Sequence, residues 1–142
     1  MALPVAVDYR AEAKEKALAI CVAKCTKLVE SMRLAKPAEV ERMRALLLEI
    51  IKGTPTLPLE FKRKMMNDAL ACERNANIRA ADAALTMAMD QARKDSKFER
   101  SRLIGEARNF CNKAISLGAA TSYRETLNRK IEVIMMTGGR LA

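Results

Sequence analysis

A chain of 142 residues, half of them apolar and 30% charged, is long enough to bury a core without disulfides or metals and too hydrophobic to be disordered. With 4% aromatic residues and no tryptophan, the core falls to Ala, Leu, Ile and nine Met, mostly strong helix formers, which points to an all-α fold. The absence of histidine excludes Ser-His-Asp and Cys-His nucleophiles, His-ligated zinc and di-iron sites and histidine phosphotransfer, while the net charge of +9 is open to two readings, an acidic partner or solubility alone.

The opening MALPVAV has neither the length of a signal-peptide core nor a basic segment ahead of it. No later run approaches a membrane span. A cytoplasmic protein without a membrane partner is expected.

A first helix is expected over about 8–33, with Asp8 as its N-cap, because Leu18, Cys21, Val22, Cys25, Leu28, Val29 and Met32 recur at threes and fours. Pro37 suits the first turn of a second helix over 37–52, and Gly53 suits its end. GTPTLP is then the clearest loop in the chain, with two prolines in six residues.

From Pro58 the positions Phe61, Met65, Ala69, Cys72, Ala76, Ala80, Ala83 and Met87 step by threes and fours, predicting one long Ala/Met-rich central helix over 58–94. Only Asn75 to Asn77 could interrupt it, since asparagine competes for backbone hydrogen bonds. Two capping boxes follow, Ser96 with Glu99 and Ser122 with Glu125, which place helices over 97–117 and 122–136. No linker divides the text. The expectation is a single-domain bundle of five antiparallel helices, or six if Asn75 to Asn77 forms a turn.

Cys21 and Cys25 lie one helical turn apart, as a pair of metal ligands would. They also sit within the apolar stripe of the first helix, and Cys72 and Cys111 are isolated on apolar faces of their own. Buried cysteine packs as a small hydrophobe, so the pair reads as core before it reads as a metal site, and no cofactor is expected. Asp82 and Asp90, with Thr86 between them, are the best acid pair. Arg79 and Arg93 share their strip, which makes a solvated, ion-paired face the better reading than general acid/base catalysis.

The positive charge is concentrated late: residues 97–142 hold nine basic against four acidic residues. Lys97, Arg100 and Arg108 fall near one edge of the apolar stripe of their helix, and Arg124, Arg129 and Lys130 are scattered around the last one. A basic surface is expected there, without a nucleic-acid recognition motif or stacking aromatics.

The stretch from Asn77 to Ala92 carries two apolar seams. Ala76, Ala80, Ala83 and Met87 continue the earlier one, and Ile78, Ala81, Leu85, Ala88, Met89 and Ala92 form a second roughly opposite. The second seam is the candidate for contact with another chain. The function expected is therefore a non-enzymatic helical interaction or scaffold domain that forms a homo-oligomer and binds an acidic protein partner. The alternative is a basic nucleic-acid-associated helical protein, and the third reading a thiol-based metal or redox protein.

Overall fold

The computed structural model describes residues 4–93 and 97–141, with side chains for 9–90 and 97–137. Among the described residues there are five α-helices and no strand: α1 Pro4–Met32, α2 Pro37–Lys52, α3 Leu59–Arg93, α4 Lys97–Ser116 and α5 Ser122–Leu141. The protein is all-α. Among the described residues no helix is long and apolar enough to cross a membrane.

Each helix begins and ends where its local chemistry allows, and some ends differ from the sequence expectation. α1 begins at Pro4 rather than at an Asp8 cap, since proline in a first turn forfeits no helical hydrogen bond. α2 has Pro37 in its first turn, Glu39 beside it and Lys52 in its last turn, the order the helix dipole favours. Its end is closed by the Gly53 N–H, which donates to Glu49 O at 2.9 Å.

α3 runs unbroken through Asn75 to Asn77, so the sixth helix does not form. Asn77 is buried and its Nδ2 donates to Glu73 O at 2.8 Å, one turn back along the same helix. The side chain that could have competed with the helix is instead bonded along it.

α4 ends in a Schellman motif. Ala119 N–H donates to Ala114 O and Gly118 N–H to Ile115 O, both at 3.0 Å. Gly118 has φ +103°, a conformation that side chains with a Cβ rarely adopt. Of the two expected capping boxes, Ser96 lies outside the described residues. α5 starts at Ser122 itself, so the cap position falls on Thr121, whose carbonyl accepts from Arg124 N–H at 3.1 Å. α5 also continues past Thr137 to Leu141. Glycine costs a helix only about 1 kcal/mol per residue, too little for Gly138 and Gly139 to stop it.

The chain divides into two compact units, Met1–Leu70 and Ala71–Ala142. Their boundary falls inside α3, which is why no linker composition marks it in the sequence. In the first unit α1 and α2 pack together as a helical hairpin. Cys25, Val29 and Met32 of α1 and Val40 and Leu47 of α2 are almost fully buried.

The second unit is built on one apolar cluster to which three helices contribute. Ala81, Ala84, Leu85 and Ala88 come from α3, Leu103, Ile104, Ala107 and Cys111 from α4, and Leu127, Ile131 and Ile134 from α5. Each large aliphatic side chain so buried contributes about 1.5–3 kcal/mol. Alanine supplies three of the four α3 positions in this cluster and enters it from α4 at Ala107.

Candidate interaction surface

Within the second unit, α5 is fixed to the polar strip of α3 by one carboxylate. Tyr123 Oη donates to Asp82 Oδ1 at 3.1 Å, with Ile78 O a weaker second acceptor at 3.4 Å. Lys130 Nζ lies 3.7 Å from the same Oδ1, an exposed pair of small energetic weight. Burial, reinforced by the Asp82 charge, pushes the Tyr123 phenol well above its ordinary pKa, so it stays a neutral donor.

Beyond this contact α3 and α5 enclose an open groove of about 490 Å³. Leu85, Met89, Val133 and Ile134 give it an apolar lining. Asp82, Thr86 and Asp90 lie on the α3 side and Lys130 on the α5 side. Val133 is 54% exposed, and Met136 one turn on is also exposed. The opposite charges on the two sides and the apolar lining are the features a helix or a second protein surface reads.

The seam expected to face another chain mostly faces inward. Ala81, Leu85 and Ala88 are buried in the three-helix cluster, Ile78 and Met89 are half-buried, and the side chain of Ala92 lies outside the described residues. The helices α4 and α5, 20 residues each, are long enough to cover that face. Leu85 and Met89 still reach the groove from its buried side. On the other seam Ala76 is buried, while Ala83 and Met87 are exposed.

The cysteines are free. Cys25 is 0% exposed, and Cys21 Sγ lies 3.1 Å from Thr54 Oγ1. Burial pushes the Cys25 thiol up, and the neighbouring Cys21 adds to the shift. A raised pKa of this kind marks a thiol packed in apolar surroundings. Among the described residues no three His, Cys, Asp or Glu side chains are grouped to hold a metal ion.

Asp82 and Asp90 stand in different surroundings. Asp82 is engaged by Tyr123 and Lys130, Thr86 Oγ1 donates to the Asp82 backbone carbonyl at 3.0 Å, and Asp90 is exposed.

Of the expected basic surface, Lys97, Arg108, Arg124, Arg129 and Lys130 are exposed, and Arg100 is not. Arg100 is 8% exposed, because the buried stripe of α4 extends one turn further than its apolar residues: Arg100 stands in line with Leu103, Ile104, Ala107 and Cys111. Its long aliphatic stem permits this burial. Arg102 is held on the surface by Glu99 at 2.8 Å and Glu106 at 2.6 Å, and Glu99 is drawn below its ordinary pKa by Arg102. Arg108 and Arg124 converge on one cleft between α4 and α5, together with Asn112 and Asn128.

Sequence reasoning missed Tyr123 and both asparagines. A readable signal did exist for the second cleft, since α4 and α5 each contain Arg-x-x-x-Asn, Arg108 to Asn112 and Arg124 to Asn128. No such signal marks Tyr123, whose partner is 41 residues away. Comparison of the chain with protein families, curated proteins and solved structures returned no match.

Proposed function

We propose that the chain is a non-enzymatic, cytoplasmic helical association module that pairs with a second copy of itself through the groove between α3 and α5. The observation that carries this reading is the charge pattern around an open apolar lining: Asp90 on the α3 side, Lys130 on the α5 side, and Leu85, Met89, Val133 and Ile134 between them. A two-fold axis over such a groove sets Asp90 of one copy against Lys130 of the other and covers the exposed Val133 in both. Four free thiols suit a reducing compartment. The excess positive charge of the last third leaves an acidic partner as a further ligand of the same module.

Sedimentation velocity over a wide concentration range tests the pairing. The wild-type chain is expected to associate, Val133→Lys to remain monomeric, and Asp90→Lys or Lys130→Glu to weaken association that the double exchange restores. A chain that stays monomeric at its highest soluble concentration rules the reading out. The second reading, association with nucleic acid, draws on the exposed Lys97, Arg108 and Arg124. Its mark is retention on DNA or RNA that weakens steeply with salt.

A further inference from the structure

We infer that the cleft between α4 and α5 is an anion site that takes a compact phosphate group, as free phosphate or as a phosphate monoester. It concerns the acidic-ligand part of the reading above and lies on the α4 side of α5, apart from the groove that self-association uses.

The site follows from register. Arg124 Nη2 donates to Asn112 Oδ1 at 3.1 Å, which pairs the end of α4 with the start of α5. α5 runs back along α4, so one turn further Arg108 comes level with Asn128. The two Arg-x-x-x-Asn sequences thus interlock head to tail, each arginine facing the other helix's asparagine, and all four residues line a cleft of about 340 Å³. Cys111 and Leu127, both buried, complete the lining.

The chemistry of the lining selects the ligand. Two guanidinium groups and two carboxamides supply many N–H donors in fork geometry, and no carboxylate lines the cleft to cancel them. Such a set favours a compact anion with several acceptor oxygens. The volume is near the lower limit for ligand sites, and no aromatic side chain lines the cleft to stack a nucleobase. Arg108 makes no ion pair or hydrogen bond among the described residues and is open to a ligand. Arg124 lends its charge inward too, since its field opposes the rise that burial imposes on the Cys111 thiol.

Two-dimensional NMR of the full chain, titrated with sodium phosphate against sodium chloride of equal ionic strength, tests the site. Saturable shifts confined to Arg108, Asn112, Arg124 and Asn128 are expected with phosphate alone. Arg108→Gln and Arg124→Gln are each expected to weaken binding about tenfold, as the loss of a charge-assisted hydrogen bond implies. Arg129→Gln, an exposed change outside the cleft, is expected to leave it unchanged. Circular dichroism checks that each variant is folded.

A parallel titration with O-phosphoserine identifies the source: tighter binding than phosphate assigns the site to phosphorylated side chains, and equal or weaker binding assigns it to free phosphate. Shifts that never saturate, that chloride reproduces, or that Arg129→Gln abolishes equally overturn the proposal. Sedimentation with and without phosphate separates the two readings, since loss of the anion site leaves pairing through Val133 intact.

Discussion

Tyr123 and Asp82, on facing helices of the second unit, are joined by a hydrogen bond of 3.1 Å from Oη to Oδ1. The bond fixes the start of α5 against α3 beside the groove between the two helices. Tyr123→Phe removes the donor and keeps the ring, so it is expected to cost about 1 kcal/mol in urea denaturation at neutral pH.

The same contact predicts a pH dependence. The folded-state pKa of Tyr123 is raised above the ordinary value of 10.0, so folding favours the neutral phenol. Its contribution is fully present below that ordinary value and is lost as pH rises through it towards the folded value. Stability should therefore fall on the alkaline side, and less steeply in Tyr123→Phe. Parallel alkaline limbs for the two proteins would contradict the assignment.

Asn75 is exposed within an unbroken α3. There the intrinsic helix scale should decide the effect of substitution. Asn75→Ala is expected to raise stability by about 0.5 kcal/mol, and Asn75→Gly to fall about 1 kcal/mol below the alanine variant. If Arg74 to Ile78 formed a turn, glycine would equal or surpass alanine.

The helices were legible because Ala, Leu and Met dominate an uninterrupted 3.6-residue pattern, and the end of α4 was legible because only glycine takes the φ of Gly118 readily. Weaker signals misled. Asn75 to Asn77 and the glycines after Thr137 each oppose a helix by a fraction of a kilocalorie to about one, and α3 and α5 continue through them. Arg100 follows from the same limit: its charge predicts exposure, whereas its register places it on the buried stripe. The candidate sites were the least legible, because Tyr123 meeting Asp82, and Arg124 meeting Asn112, depend on how α5 lies against its neighbours. Periodicity gives the face a residue occupies, and says nothing of which residue stands across from it.

Cys25, fully buried, with its thiol pushed up by burial and by Cys21, should react with a thiol reagent only when the structure opens. Labelling of Cys25 and Cys111 is expected to be slow in the native protein and fast in denaturant. Cys25→Ser, which buries a hydroxyl, should be less stable than Cys25→Ala by about 1 kcal/mol. Fast native labelling of Cys25, or serine tolerated as well as alanine, would mean that this part of α1 is wet.

The two alanine seams of α3 are distinguished by one pair of substitutions. Ala88 is 0% exposed within the cluster shared by α3, α4 and α5, whereas Ala83 is open to solvent. A larger side chain at Ala88 must push neighbouring helices apart, so Ala88→Met is expected to cost about 1–3 kcal/mol. Ala83→Met should change stability by no more than about 0.5 kcal/mol, since it meets no packed neighbour. Urea denaturation of the two variants measures both effects. Equal costs at the two positions would mean that both seams are covered, and a cost at Ala83 alone would turn α3 around, with the opposite seam in the core.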